Sequence, residues 1–175
     1  AGPMAETFAL QVIVENRPGA SSLVGTQYVA KSPADGYTLL AIANTFVTVP
    51  SLMKNAGYDA LKDFIGVTVN CWVPMVLVAT PTLPVRDVKA LIALARARPG
   101  QLAYGTAGAG STGHIAATVM AVQAHINLLH VPYKGKAIAI VDVAAGNVQL
   151  MFDQVSTSKS YVDSGKLRAL GVTSL

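Results

Sequence analysis

Gln101 to Ile126 reads QLAYGTAGAGSTGHIAATVMAVQAHI. A short apolar run, Gln101 to Gly105, meets a cluster of glycines and then a long apolar segment, Ser111 to Ile126. The run suits a buried strand, and the segment is long enough only for a helix. Between them lies a glycine loop, Gly105 to His114, in which Ser111 and Thr112 add hydroxyl donors. Strand, glycine loop and helix in that order are half of an α/β crossover unit.

The same rhythm continues downstream. The spacing predicts a strand at Asn127 to Val131, a helix at Lys136 to Ala145 and a strand at Val148 to Phe152. A helix at Ser156 to Asp163 and a strand at Leu167 to Val172 follow. Upstream, Val88, Leu91, Ile92 and Ala95 fall at helical spacing within Arg86 to Arg98, which Pro99-Gly100 stops. Pro74 to Ala79 reads as a strand. Uninterrupted apolar strands alternating with helices indicate a mainly parallel sheet covered on both faces.

The first part of the chain reads similarly but less regularly. Buried strands are predicted at Val12 to Val14, Tyr37 to Ala43 and Phe64 to Val69. A helix is predicted from Ser21 or Ser22 to Lys31, and a short one at Pro50 to Met53. Two strands without an intervening helix, near Asn70 to Pro84, suggest a crossing between two lobes. Cys71 and Trp72 sit in that apolar run, which predicts a buried thiol and a packed indole.

Composition narrows the function classes. The chain has 175 residues, 52% apolar and only 13% charged, against roughly 25% in typical domains. It can therefore bury a sizeable core. The longest apolar stretch, Val67 to Ala79, is interrupted by Thr68, Asn70 and Pro74, so no membrane insertion is expected. Thirteen Lys and Arg against nine Asp and Glu give a net charge of +4. These cations are scattered and aromatics are few, which argues against nucleic acid. One cysteine and no H-x-x-x-H spacing argue against a metal site. Ala1 to Leu10 lacks the basic leader and apolar core of a signal peptide.

Gly108 to Gly113 spells G-x-G-x-x-G, the dinucleotide pattern. Its glycines permit positive φ, and the first helical turn favours an anion. A dinucleotide also needs an acidic residue about twenty positions on, yet no Asp or Glu occurs between Asp87 and Asp142. Lys134 and Lys136 leave an NADP-dependent oxidoreductase as an alternative, though little chain remains for a substrate domain. A hydrolase fares worse, because Ser111 and His114 lie in no G-x-S-x-G elbow. His125 and His130 read as satisfied, partly buried histidines. A glycine turn without any ligand is the plainest alternative.

Seven blocks then appear in a recognisable order: VIVENRPGA (Val12 to Ala20), DGYTLL (Asp35 to Leu40), YDALKDF (Tyr58 to Phe64), the glycine loop ending in His114, HVPYKG (His130 to Gly135), VQLMFD (Val148 to Asp153) and GKLRALGVTS (Gly165 to Ser174). In this the chain resembles the Bug/TctC proteins, extracytoplasmic solute receptors of tripartite tricarboxylate transporters. The resemblance implies a type II periplasmic-binding fold with two Rossmann-like lobes. It also implies a periplasmic location, no catalysis and no cofactor. The ligand would be a dicarboxylate, a tricarboxylate or a related organic acid, handed to the transporter's membrane components.

Residue by residue, the resemblance implies that Gly110, Ser111, Thr112, Gly113 and His114 form the loop that receives a ligand carboxylate. Asn44 and Thr45 would face it from the other lobe. Tyr133 and Lys134 match a second helix N-terminus, and Asp153 lies near the cleft, where it accepts from a ligand donor or orients the loops. The expected lobes are 1–73 and 74–166, with 167–175 crossing back towards the first. Family members open with a further strand and glycine-rich loop and continue beyond Ser174. The first lobe is thus expected to be incomplete, with apolar surface open to a partner or to self-association.

Overall fold

The computed structural model describes residues 2–174. Its centre is a five-stranded sheet built from β1 (Met75–Ala79), β2 (Ala103–Thr106), β3 (Leu129–Pro132), β4 (Leu150–Gln154) and β5 (Arg168–Val172), in the order β3-β2-β4-β1-β5. β2 runs parallel to β3 and β4, whereas β1 runs antiparallel to both β4 and β5. Four strands therefore point one way and β1 alone points back.

The strands are apolar on both faces because both faces are covered. Met75, Leu77, Ala79, Tyr104, Leu150 and Phe152 pack with Leu91 and Ala95 of α4 (Val88–Ala97) and Ala117 of α5 (Thr112–Ala124). Val76, Val78, Ala103 and Met151 point to the opposite face. There they meet Ala139, Ile140 and Val143 of α6 (Lys136–Ala145), with Tyr161 and Val162 of α7 (Val155–Asp163) alongside. The period-two alternation within each strand divides the two cores. Asp87 caps α4 by accepting from the Ala90 N–H at 2.7 Å, as an N-cap aspartate should.

The first part of the chain differs from the reading of its sequence. It holds α1 (Gly2–Phe8), a 3-10 turn (Ala20–Ser22), α2 (Leu23–Ala30) and α3 (Thr45–Leu52). The segments Val12 to Val14, Tyr37 to Ala43 and Phe64 to Val69 are not strands. Among the described residues no ladder pairs with them, and a lone run has no partner for its backbone groups except water. Most of their side chains are accordingly exposed, Ile65 to 93%, while Val12, Leu40, Ile42 and Phe64 are half-buried. Cys71 is also exposed, not a buried thiol, and Trp72 is 90% exposed rather than packed.

The short helix expected at Pro50 begins instead at Thr45. Pro50 has no N–H to give the carbonyl of Phe46 one turn earlier. The Tyr58 hydroxyl donates to that carbonyl at 2.8 Å instead. Tyr58, Phe46 and Phe64 then stack and edge together at 5.0 to 5.9 Å between ring centroids. Part of the YDALKDF block thereby holds α3 in place.

Candidate anion-binding site at the glycine loop

β2 ends at Thr106 and α5 begins at Thr112, so the loop between them carries the chain from the sheet to a helix N-terminus. Gly108 and Gly110 adopt φ of 113° and 78°, a region that costs other residues strain. Ser111 caps α5, with the His114 N–H approaching its Oγ at 3.4 Å. The first turn leaves the N–H groups of Thr112 and Gly113 without intrahelical acceptors, at the positive end of the helix dipole.

Each glycine is required for a different reason. A Cβ on Gly110 would lie 2.9 Å from Leu52 Cδ1, and one on Gly108 would lie 2.7 Å from Ser21 Oγ. A Cβ on Gly113 would lie 2.8 Å from the Phe152 carbonyl oxygen. The third glycine therefore lets α5 approach β4, while the first two let the 3-10 turn and α3 approach the loop.

Two histidines hold the loop from beneath. The Thr106 hydroxyl lies 2.6 Å from His130 Nε2 and accepts from the Gly108 N–H at 3.1 Å. His114 Nδ1 accepts from the Gly110 N–H at 3.3 Å. The two imidazole centroids are 4.4 Å apart, and Tyr104 stacks on His130 at 5.0 Å. Burial, followed by the charge of His114, holds the His130 imidazole below its ordinary range. His130 is thus a satisfied, partly buried histidine, as its setting in the sequence suggests.

The opposite wall comes from α3. Thr112 Oγ1 donates to Asn44 Oδ1 at 2.6 Å, and Thr48 Oγ1 donates to the Gly110 carbonyl at 2.9 Å. Thr45 lies beside them with a buried Oγ1 that has no hydrogen-bond partner among the described residues. A buried hydroxyl left open in this way is a group a ligand can satisfy. Gly19, Ala20, Ser21 and Ser22 all take positive φ, from 45° to 132°. Such runs of non-glycine residues are strained and persist where surrounding contacts fix them.

Hydrogen bonds therefore join Asn44, Gly110, Ser111, Thr112 and His114 at the loop, with Thr45 next to Asn44 at the start of α3 and Gly113 after Thr112 in the first turn of α5. Tyr133 and Asp153 are engaged elsewhere. Tyr133 donates its hydroxyl to Asp142 at 2.7 Å, and burial together with that carboxylate pushes the phenol up to about 12. Asp153 is 2% exposed and accepts from Ser158 at 2.9 Å and from Thr157, with Lys136 Nζ at 3.9 Å. These contacts tie it to the first turn of α7. Lys134 is exposed. Sequence reasoning missed Thr48, Ser21 and Thr106. Thr48 could have been found as the residue four positions after Asn44, on the same face of a helix.

The arrangement can hold an anion on backbone N–H groups and hydroxyls. Among the described residues, no three His, Cys, Asp or Glu side chains gather as metal ligands. Nor, among the described residues, is any helix long and apolar enough to cross a membrane.

The chain is 37% identical over 172 residues to the UPF0065 protein in the tcbD-tcbE intergenic region of Pseudomonas sp. strain P51, covering 98% of this chain and 51% of the relative. It is similar to a structure from R. palustris solved with adipate, at TM-score 0.94 and 37% identity, covering 99% of this chain and 58% of that one. It is also similar to the periplasmic binding protein BugD, at TM-score 0.88 and 37% identity, covering 100% and 58%. The chain thus spans about half the length of its curated relatives. The model described as tripartite tricarboxylate transporter family receptor matches residues 1–175, which sets aside the oxidoreductase reading of the G-x-G-x-x-G spelling: the chain belongs to the TctC family of receptors.

Proposed function

We propose that this chain forms the ligand-gripping part of a periplasmic solute receptor that captures a small carboxylate for a tripartite transporter. The carboxylate sits at the first turn of α5, on the N–H groups of Thr112 and Gly113. Asn44 and Thr45 close over it from the first lobe. A dicarboxylate, a tricarboxylate or a related organic acid satisfies both the helix dipole and the open hydroxyl of Thr45. The observation that carries this reading is the meeting of Asn44 with Thr112 across the loop. The similar protein solved with adipate supports the ligand class.

We further assign 1–73 to the first lobe and 74–166 to the second, with 167–175 returning towards the first. In support, Met75 and Thr173 are bonded twice, N–H to Oγ1 at 3.0 Å and N–H to carbonyl at 2.9 Å. The outgoing and returning chains therefore run side by side, as at a hinge. The exposed Ile13, Ile65, Val67 and Trp72 support self-association or a covering partner.

A thermal-shift series with succinate, adipate, citrate and NADP tests the reading. A bound acid at a hundredfold excess over its Kd stabilises by about 2.7 kcal/mol. The expected result is a rise in Tm with at least one acid and none with NADP. A rise with NADP alone contradicts it.

A further inference from the structure

His114 occupies the third position of α5, after the capping Ser111. Its backbone N–H approaches Ser111 Oγ at 3.4 Å, while its Nδ1 accepts from the Gly110 N–H at 3.3 Å. This is close to the reciprocal layout of a capping box, in which Glu or Gln ordinarily makes the backward bond. Here that bond reaches one residue further back. A glutamate in this place would set a negative charge beside the first turn of α5, where an incoming anion would meet it. A neutral imidazole makes the bond without that charge. The Gly110 peptide is thereby held on both sides, because Thr48 donates to its carbonyl at 2.9 Å.

The bond needs a lone pair on Nδ1, and histidine is the side chain that gains a proton between roughly pH 8 and 5. Once protonated, Nδ1 points an N–H at the N–H of Gly110, and the bond is lost. His130 accommodates a proton better. Its Nε2 can donate to Thr106 Oγ1, 2.6 Å away, when that hydroxyl turns to the Gly108 carbonyl at 3.3 Å. The titratable side chains stacked on the His114 ring are His130 at 4.4 Å and Tyr104 at 6.4 Å between centroids. β2, β3, α3, α5 and the 3-10 turn contain no Asp, Glu, Lys or Arg. On β4, Asp153 turns to the opposite face, towards Lys136 and Ser158. On α4, Arg96 is held at the Ala124 carbonyl at the far end of α5, and Lys89 is exposed.

We propose that His114 is a positioning residue of the anion loop: its neutral imidazole shapes the loop through Gly110, and its protonation releases the loop and weakens carboxylate binding. This inference rests on the carboxylate reading of the loop. A charged imidazole also attracts an anion, so the sign of the pH dependence separates two roles. A charge that contacts the ligand strengthens binding on acidification, whereas an acceptor that shapes the loop weakens it.

Titration calorimetry with adipate at about pH 7.5 and about pH 5.5, on either side of the ordinary imidazole value, tests it on the full chain beside His114→Asn and His114→Phe. Asn offers Oδ1 close to the place of Nδ1 and does not titrate, while Phe offers no acceptor. Protonation of adipate itself is common to all three chains, so the affinity of the natural chain is read relative to that of His114→Asn. This ratio should fall about fivefold at the lower pH, equivalent to one ordinary hydrogen bond. His114→Phe should bind more weakly than His114→Asn at the higher pH. A ratio that rises or stays constant, or equal binding by the two variants, overturns the positioning role. The Gly110 amide resonance of the ligand-free natural chain gives a second reading that needs no variant to fold. It should move as the His114 ring titrates, and a fixed resonance overturns the inference. Absence of adipate binding at both pH values overturns the carboxylate reading, and a Gly110 resonance that still follows the ring then upholds the hold of His114 on the loop.

Discussion

Thr112 at the start of α5 donates its hydroxyl to Asn44 just before α3, at 2.6 Å across 68 residues of chain. This bond joins the anion-holding turn to the segment facing it. It ties the loop to the position of α3, which Thr48 also joins to the Gly110 carbonyl.

Replacing Asn44 by Ala removes that coupling at an exposed pair, where the loss of stability should be small. Carboxylate affinity should fall about fivefold, equivalent to roughly one ordinary hydrogen bond. Calorimetry on the variant checks this, and an unchanged affinity would detach Asn44 from the site.

Gly113 faces a different constraint. A Cβ there would meet the Phe152 carbonyl oxygen at 2.8 Å, and neither helix nor strand can yield without disturbing the core. Gly113→Ala should lower stability by roughly 1 to 3 kcal/mol, read from urea unfolding. A midpoint equal to that of the natural chain would mean that α5 is not packed so closely on β4.

The histidine pair gives the fold a pH dependence of known sign. Burial, then the charge of His114, depresses the His130 imidazole in the folded state. The unfolded chain therefore binds the proton more readily. The contribution is present above the ordinary value of about 6.5 and is lost as pH falls through the depressed folded value. Between pH 7 and 5 the Tm of the natural chain should drop more steeply than that of His130→Gln. Parallel slopes would exclude His130 as the titrating group.

Much of the sheet and its covering helices was legible in the sequence because the strands are mostly apolar and the helices are punctuated. Lys136–Ala145 was read to the residue, ended by Gly146. The chain before the sheet misled for a physical reason. Val12 to Val14 and Phe64 to Val69 have the composition of buried strands, but composition does not provide the neighbour that completes a ladder. At the site, the glycine loop and the hydroxyls of Ser111 and Thr112 were visible from local spelling, whereas the capping of α5 by Ser111 was not. Thr48, Ser21 and the Thr106–His130 bond were not, because each acts on a backbone brought close only by folding.

We propose that backbone N–H groups at the start of α5 hold a carboxylate. The most direct measurement is the amide chemical shift of Thr112 and Gly113 by NMR during titration with adipate. Both resonances should move downfield and saturate together, with Asn44 and Thr45 following and the N–H groups of α4 unchanged. Saturable adipate binding that leaves Thr112 and Gly113 unmoved would contradict it.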